Sequence, residues 1–437
     1  MKKLVTGFCL TVLVLFMASI FARFFTWNVL IEKLHMNNTF TRLVFFDNPL
    51  FNNEPSANIN WAKLYPFETA AQRQTGQNTL KAITARITGI EEKIEIYTKD
   101  NLINRMPFVE IAVRSEKAVG WNLHDTVIDL DDGFITETVS RADVLPLAES
   151  LADFRDFLQS QNIGLLYVQS PHKICRYDTI ISIPDFANQN ADEFLAALSA
   201  RHIPHLDLRE TLHQQSGDYS AAYHHSLFYR TDHHWKAETG LWAAGVLAGY
   251  FNGHYGFSID TGIFTPERYR YEVYKNWFLG SMGKKVTLEW AKPEDISLIY
   301  PKADSDISLR IPSKNIDTRG SFEVIYDYRQ VENKNYYGLN PYGAYRYTDN
   351  PVTVIQNHLL HDGKKILIIN DSFVTTAGPF VSLGIEQVEM LDLRHFTGSV
   401  RSYIEQSQPD VVVVMYYPSV FPKKIDYTAH TSMFDFR

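Results

Sequence analysis

The sequence predicts an α/β fold in which a mostly parallel sheet is covered by helices on both faces. Apolar runs that are too short for helices indicate strands buried on both sides, as in parallel sheets. Such runs lie at residues 163–168, 366–369 and 410–415. Segments with helical spacing alternate with them, which is typical of strand–helix–strand units. In chain order, further elements are expected as helices at about 147–158, 191–201, 237–251 and 400–408, and as strands near 127–134, 205–208 and 386–393.

The 437-residue chain is predicted to divide into three parts. Residues 1–23 are interpreted as a signal anchor or signal peptide, and residues 24–140 as a stalk and helical extension. The main domain is expected at residues 141–437, with a tyrosine-rich insertion at about 252–362. Because the insertion shows no clear periodicity, we expect packed loops there. The alternative is a wall of aromatic rings that faces a sugar.

The N-terminus carries a membrane-type signal. Lys2 and Lys3 precede an uncharged apolar segment at residues 4–22. At roughly 1.5 Å rise per residue, such a helix just crosses a hydrocarbon core of about 30 Å. A cleavage site of small residues is poor, because Ile20 precedes Ala22 at the critical spacing. We therefore expect an uncleaved single-pass anchor, with a cleaved signal peptide as the alternative, and the positive flank predicts that the main domain is extracytoplasmic.

Composition argues against several classes of protein. The net charge is −8 and no basic cluster is present, so nucleic-acid binding has no electrostatic basis. Of the two cysteines, Cys9 lies in the apolar segment and Cys175 in the main domain, so we expect no intrachain disulfide. No pattern of two positioned acids supports a glycosidase.

Two short motifs predict the chemistry. Thr231-Asp232-His233-His234-Trp235 offers a carboxylate and an imidazole two residues apart, and Asn370-Asp371-Ser372-Phe373 follows a predicted buried strand. Open α/β sheets place their sites at the carboxyl ends of strands. A nucleophilic serine needs a base, and the base needs a carboxylate that fixes its tautomer. The motifs therefore predict a triad, although a serine after a strand is also common as a helix N-cap.

The motifs resemble those of the DHHW family and, more broadly, of the SGNH hydrolase-like domain of the AlgX and AlgJ alginate O-acetyltransferases. In that group the Asp-x-His motif precedes the serine, as it does here. The resemblance covers about residues 95–420 and includes Tyr97-Thr98-Lys99-Asp100 with Arg105, Pro171-His172-Lys173 and Gly280-Ser281-Met282-Gly283. It implies an SGNH-like three-layer α/β/α sandwich. Carried over by motif, Asp232 is the orienting carboxylate, His234 the base and Ser372 the nucleophile.

The same resemblance implies an O-acyltransferase that acetylates a cell-surface or secreted polysaccharide through an acyl-serine. A membrane-bound O-acyltransferase is the implied donor partner, and no cofactor is expected. One departure is Asn370, where the acetyltransferases usually have Gly and DHHW proteins often have Lys. Three alternatives stay open: a carbohydrate esterase with the same triad, a non-catalytic polysaccharide-binding or assembly protein, and a zinc-dependent deacetylase.

Further residues are interpreted with alternatives beside them. Lys173, Arg394, Gly283 and Tyr345 are predicted to bind substrate. Lys173 could instead be exposed, ion-paired or an architectural contact, and Arg394 could pair with Asp392. The amides of Ser372 and of Gly280 or Gly283 are predicted oxyanion donors. His233 is expected to point away from His234, because side chains alternate along an extended chain. The pairs His224-His225 and His233-His234 suggest a metal, but we expect none because adjacent residues rarely bind one ion together.

Overall fold

The structure, a computed structural model, describes residues 106–118, 123–124, 126–130, 133–177, 184–423 and 430–437. The helices are α1 Met106–Ala118, α2 Leu145–Ser160, α3 Ala187–Ala200, α4 Leu208–Ser216, α5 Ala221–Ser226, α6 Ala237–His254, α7 Ser281–Trp290, α8 Val374–Val381 and α9 Val400–Ser407. The strands are β1 Leu123–His124, β2 Val127–Asp129, β3 Ile135–Glu137, β4 Gly164–Gln169, β5 His205–Asp207, β6 Tyr269–Phe278, β7 Glu294–Pro301, β8 Ile307–Ile311, β9 Ile316–Gly320, β10 Val352–Asn357, β11 Lys365–Asn370, β12 Gln387–Leu391 and β13 Val411–Tyr416.

An eight-stranded sheet forms the centre of the main domain, in the order β5-β4-β13-β11-β12-β10-β8-β9. The five strands from β5 to β12 are parallel, and β10, β8 and β9 continue the sheet in antiparallel pairing. In the register of the central strands, Ile369 lies opposite both Val414 and Leu391. All six residues of β13 are buried. The predicted apolar runs thus form strands that are covered on both faces, and the mostly parallel sheet is confirmed.

Alternate residues of the central strands face two separate cores. Ile366 and Ile368 of β11 pack in one core with residues of α6 and α8, whereas Leu367 and Ile369 pack in the other with residues of α2, α3 and α9. Each buried aliphatic side chain contributes about 1.5–3 kcal/mol by leaving water. Because both faces of each strand are covered in this way, the architecture is the predicted three-layer α/β/α sandwich.

The insertion at 252–362 differs from the prediction. Instead of loops alone it contains strands β6 to β10, and three of them extend the central sheet. The signal was present in the chain: Ile307, Leu309 and Ile311 of β8 are buried and alternate with Ser308 and Arg310. A strand of only five residues beside turns was too short to stand out as a period. The loop interpretation is therefore wrong for this part of the insertion.

Residues 106–140 contribute a helix and a small antiparallel sheet. Strands β1, β2 and β3 pair in sequence order, and residues of β2 and β3 share a core with α7. This sheet reaches the main domain through a hydrogen bond from the Ile135 amide to the Arg230 carbonyl (2.8 Å). The extension thus contacts the segment that carries the Asp-x-His motif.

Several predictions concern residues outside the described part of the chain. They include the apolar segment at 4–22, the stalk that follows it, and the residues from Tyr97 to Asp100 with Arg105. None of the helices in the described ranges combines the length and the apolar character that a membrane crossing needs. The predicted anchor and the predicted domain boundaries stay predictions.

Candidate active site

Ser372 lies in the turn between β11 and α8, at the carboxyl end of a central parallel strand. The Asp371 carboxylate fixes this turn, because it accepts hydrogen bonds from the amides of Phe373 (2.9 Å) and Tyr417 (2.7 Å). Burial raises the pKa of Asp371. Asn370 is buried, and its side-chain amide donates to the Asp371 carbonyl (2.9 Å). The residue that departs from the family pattern therefore takes part in the turn itself.

The Asp-His-His-Trp motif forms a tight loop that is closed by a β-bridge between Phe228 and Trp235. Trp235 is fully buried, and its indole N–H donates to the Phe373 carbonyl and to Thr376 Oγ1, both at 3.0 Å. The ring therefore joins the loop to the first turn of α8. These two hydrogen bonds place the loop beside Ser372.

Two buried ionisable side chains make hydrogen bonds with backbone amides and carbonyls of the loop. Glu294 accepts hydrogen bonds from the amides of Arg230 and Thr231, both at 2.7 Å. The Lys173 ammonium donates to three carbonyls, those of Ile135 (2.6 Å), Arg230 (2.8 Å) and Asp232 (2.8 Å). Burial lowers the pKa of Lys173 to about 7. Since buried backbone groups need partners, these two residues hold the loop in its shape.

Lys173 therefore does not lie where it was predicted to act. It is fully buried and all three of its N–H groups are used by carbonyls, so the prediction that it binds substrate is wrong. The architectural alternative describes it correctly.

Replacing Lys173 with Met should destabilise the protein strongly. Three carbonyls would each lose a donor, and that of Arg230 keeps a second one, the Ile135 amide. Each buried group left unsatisfied costs about 1–3 kcal/mol. We expect the free energy of unfolding to fall by about 3 kcal/mol or more in chemical denaturation. Lys302→Met is the matched control, because Lys302 is exposed and donates to one carbonyl, that of Glu267. Equal stability of the two variants would contradict the role of Lys173.

The structure brings Asp232, His234 and Ser372 into one hydrogen-bonded chain. His234 Nε2 lies 2.6 Å from Ser372 Oγ, and His234 Nδ1 lies 2.5 Å from Asp232 Oδ1. A carboxylate on Nδ1 fixes the tautomer in which Nε2 can accept the serine proton. Ser372 is half-buried and His234 and Asp232 are buried. The arrangement has the geometry of an activated serine nucleophile.

The second oxygen of Asp232 is held by the start of α7. Asp232 Oδ2 accepts hydrogen bonds from the Ser281 amide (2.6 Å) and the Ser281 hydroxyl (2.9 Å). Burial acts to raise the pKa of Asp232, but the neighbouring histidines and these donors lower it well below its usual range. Asp232 therefore stays ionised beside His234.

Gly280 explains why α7 can come this close. A Cβ on Gly280 would lie 2.3 Å from the Cβ of Asp232 and 2.5 Å from the Thr231 carbonyl oxygen, closer than real atoms approach. The Gly280 amide donates to Thr231 Oγ1 (2.9 Å), and the Gly283 amide donates to the Thr231 carbonyl (2.8 Å). Both amides are engaged, so the predictions that they bind an oxyanion, and that Gly283 binds substrate, are wrong. Sequence could not show this, because the partner lies about fifty residues earlier.

Aromatic rings enclose His234. The Tyr342 ring stacks on it with centroids 4.2 Å apart, and the Tyr342 hydroxyl donates to the Ser372 carbonyl (3.1 Å). The His233 ring lies 3.9 Å from the His234 ring, and His233 Nδ1 lies 3.2 Å from Ser281 Oγ. The expectation that the two histidines point apart is wrong, because the motif is a bend and not an extended strand. Burial lowers the pKa of His233 well below its usual value.

Tyr345 is a core residue. It is fully buried, packs edge-on against Tyr326, and donates its hydroxyl to the Ser297 carbonyl (2.9 Å). The prediction that this ring binds substrate is therefore wrong. Tyr342, three residues earlier, is the ring that reaches the triad, and sequence alone could not distinguish the two.

Arg394 lies in an ion-pair network near the carboxyl end of β12. Its guanidinium binds Asp392 through Nε (2.9 Å) and Nη2 (2.6 Å), and Nη2 also lies 3.0 Å from Asp349. These neighbouring carboxylates raise the pKa of Arg394 against the opposing effect of burial. The alternative of pairing with Asp392 is thus correct, and contact with an anionic sugar stays a prediction.

Arg346, which sequence reasoning missed, is a fully buried guanidinium in the same region. Its Nη2 lies 3.2 Å from Thr375 Oγ1, one helical turn after Ser372. Among the described residues, its Nε and Nη1 have no hydrogen-bond partner. Arg346, Tyr347 and Thr348 all have positive φ, and the Asn350 side chain caps this strained turn through the Arg346 carbonyl (2.8 Å). The surrounding structure imposes both the burial of this cation and the strain of its turn, so the sequence alone does not predict them.

Two clusters near the site could be considered for a metal, namely Asp232 with His233 and His234, and Asp349 with Asp392 and His395. In the first, both nitrogens of His234 already bind Asp232 and Ser372. In the second, both carboxylates bind Arg394, whose positive charge opposes a second cation. Both clusters are better explained by the hydrogen bonds and ion pairs that they make.

Comparison with known proteins agrees with this architecture. Residues 130–259, which include Asp232 and His234, match the family model of the SGNH hydrolase-like domain of acetyltransferase AlgX. No curated protein matches the chain significantly.

Solved structures extend the similarity in fold. Bacillus cereus PatB1 with a sulfonyl adduct shares 21% identity over 71% of this chain and 98% of its own, with a TM-score of 0.56. A DHHW family protein from Eubacterium siraeum shares 16% identity over 67% and 90%, with a TM-score of 0.50. The O-acetyltransferase domain of Pseudomonas putida AlgJ shares 14% over 69% and 94%, with a TM-score of 0.41. The resemblance inferred from the motifs is therefore confirmed: the chain is similar to the SGNH hydrolase-like domain of AlgX in sequence, and to PatB1 and a DHHW family protein in fold.

Proposed function

We propose that this protein is an extracytoplasmic O-acyltransferase that acetylates hydroxyl groups of a cell-surface or secreted polysaccharide. The observation that carries the proposal is the chain of hydrogen bonds from Asp232 through His234 to Ser372 at the carboxyl end of β11. The similarity to an acetyltransferase domain supports acyl transfer as the type of reaction.

The proposed reaction has two halves. His234 Nε2 takes the proton of Ser372 Oγ as the oxygen attacks the acetyl carbonyl of the donor, and the leaving group takes that proton when the donor bond breaks. The product is an acetyl ester on Ser372. A sugar hydroxyl then gives its proton to His234 and attacks this ester, and His234 returns the proton to Ser372 Oγ. Asp232 stays ionised throughout and stabilises the imidazolium.

The backbone amide of Ser372 is the oxyanion donor that we retain from the sequence prediction, because the amides of Gly280 and Gly283 are engaged. One donor removed from such a site typically costs about 10²–10³-fold in rate.

Trapping the acyl-enzyme tests the proposal. We expect full-length protein mixed with an activated acetyl ester and quenched in acid to carry one acetyl group, and peptide mapping should place it on Ser372. Phenylmethylsulfonyl fluoride should label the same oxygen and block acetylation; PatB1, which is similar in fold, has been solved with a sulfonyl adduct. Absence of both adducts would support a non-catalytic polysaccharide-binding protein.

The acceptor distinguishes a transferase from an esterase with the same triad. Because His234 can activate either a sugar hydroxyl or water, we propose that added oligosaccharide diverts the acetyl group from water to sugar. If free acetate formed at the same rate with and without the sugars tested, the esterase alternative would be favoured.

The source of the acetyl group and the location of the protein outside the cytoplasm are also proposals. We propose that a multi-spanning membrane O-acyltransferase supplies the acetyl group across the membrane. A gene for such an enzyme beside the gene for this chain would support the transferase over the esterase.

We expect the N-terminal segment to remain attached as an anchor. Residues 4–22 are apolar and long enough to cross a membrane, and Ile20 weakens the cleavage site. After cell fractionation, the protein should appear in the membrane fraction, resist carbonate extraction and be digested by protease added from outside. A soluble product whose sequence starts near Arg23 would instead establish a cleaved signal peptide.

A further inference from the structure

A second cluster of chemically active side chains shares no residue with the triad. Cys175 follows β4, His213 lies in α4 and His224 lies in α5, and all three are buried. One ligand atom from each, a sulfur and two ring nitrogens, lies within 4.8 Å of the others. The proposed reaction uses none of these side chains.

The outer hydrogen bonds of the two imidazoles fix where their protons are. His213 Nδ1 lies 2.6 Å from the Asp218 carbonyl oxygen, and His224 Nε2 lies 2.7 Å from the His172 carbonyl oxygen. A carbonyl only accepts, so each of these nitrogens carries a hydrogen. In the neutral rings, the inner nitrogens, His213 Nε2 and His224 Nδ1, are then both bare lone pairs.

These two lone pairs face each other at 3.1 Å. Two acceptors at this distance repel unless a positive species lies between or beside them. An extra proton shared by the two nitrogens would relieve this repulsion, but it would not bring in the sulfur of Cys175. A metal ion satisfies both nitrogens and also draws on the sulfur of Cys175.

The separation of the two inner nitrogens fits a tetrahedral metal. Two nitrogens bound at about 2.0–2.1 Å to a tetrahedral ion lie about 3.3 Å apart, close to the 3.1 Å between His213 Nε2 and His224 Nδ1. Imidazoles that bind metals usually donate their other N–H to a carbonyl or carboxylate, which orients the ring. Both histidines already make that outer bond. A thiolate with two imidazoles is a ligand set that zinc prefers.

We propose that Cys175, His213 and His224 form a structural zinc site. Zinc would bind the Cys175 thiolate with loss of the thiol proton to solvent, together with two neutral imidazoles, and a fourth ligand would complete the tetrahedron. The site joins the loop after β4, which also carries Lys173, to helices α4 and α5. Helix α5 leads directly into the Asp-His-His-Trp loop, so the metal would stabilise the frame that holds the triad without touching substrate.

Metal content tests the site directly. Full-length protein produced with added zinc and passed through a desalting column should retain one zinc per chain by elemental mass spectrometry. Cys175→Ser and His213→Gln should each lose it. Cys9→Ser and His358→Gln are the controls that should keep it, because Cys9 is the other cysteine and His358 bonds Ser308 outside the cluster.

Cobalt provides a readout that does not depend on how well the variants fold. Wild-type protein stripped of zinc and reloaded with Co²⁺ should show the intense visible bands of a tetrahedral site and a thiolate charge-transfer band in the near ultraviolet. Zinc should raise the thermal midpoint of the stripped wild type. A wild-type protein that keeps no stoichiometric metal and gives no thiolate band with cobalt would overturn the proposal, and would leave a proton shared by the two histidines as the explanation.

The outcome is separable from that of the proposed acyl transfer. Acetylation of Ser372 can succeed or fail in protein whose metal content has been measured independently. A zinc site without an acyl-serine, or an acyl-serine without zinc, would each decide one proposal and leave the other standing.

Discussion

Ser372→Ala should reduce the release of product from an activated acetyl ester by about 10⁴-fold or more. In the proposed reaction the Ser372 hydroxyl forms the acyl intermediate, and nothing else in the described site replaces it. The fold should survive, because the Ser372 hydroxyl bonds His234 alone, whereas the bonds from Tyr342 and Thr375 use the Ser372 carbonyl. Initial rates and circular dichroism on full-length protein measure both effects.

Ser402→Ala is the matched control for this variant. Ser402 is exposed on α9, and its side chain has no part in the triad, so its turnover should equal that of the wild type. Near-normal turnover by Ser372→Ala would reject the acyl-serine. If chelation then removed that residual turnover, the zinc-dependent deacetylase would become the better explanation. Loss of activity on chelation alone would not show this, because the proposed structural zinc would also be removed.

The parallel core of this protein was predictable because its strands are buried on both faces. Runs such as 411–415 are apolar at every position, which a strand in solvent does not tolerate. The antiparallel edge was missed for the opposite reason. Its strand β8 alternates buried residues with more exposed ones, and within a segment rich in tyrosine and turns this period is short and weak.

The hydrogen-bonded chain of Asp232, His234 and Ser372 was predictable because its members lie in two local motifs at positions that the fold dictates. The residues that hold these side chains and their loop by hydrogen bonds were not predictable. Glu294, Ser281 and Tyr342 each lie far along the chain from the group that they bind, and no local pattern links them. Lys173 and Gly283 were predicted to bind substrate, yet in the structure they hold the backbone of the loop.

There is a physical reason why the three residues proposed to react were predictable and the residues that support them were not. A nucleophile, a base and a carboxylate are recognisable by residue type, because the chemistry needs those groups. A buried carbonyl, in contrast, is satisfied equally by a lysine, a backbone amide or a hydroxyl. Many sequences can therefore support one triad, and the choice made here, with Lys173 and Glu294 under the loop, emerges only from the three-dimensional arrangement.

His234→Ala should reduce turnover of the same ester by at least about 10³-fold, because without a base the Ser372 hydroxyl keeps its proton and is a weak nucleophile. Asp232→Asn should also lose activity, since an amide beside His234 Nδ1 favours the wrong tautomer. His254→Gln, on the exposed end of α6, is the control that should behave as wild type.

A stronger test is whether the rate losses of the Ser372 and His234 variants are additive in free energy. Residues that act as one unit lose their joint effect when any one is removed, so the double variant of Ser372→Ala with His234→Ala should be hardly slower than Ser372→Ala alone. Rates are compared at equal folded concentration, determined by denaturant titration, because His234→Ala leaves the buried Asp232 carboxylate without its imidazole partner. Losses that multiply in the double variant would mean that His234 acts independently of Ser372, and the hydrogen bond between them would then not be the catalytic one.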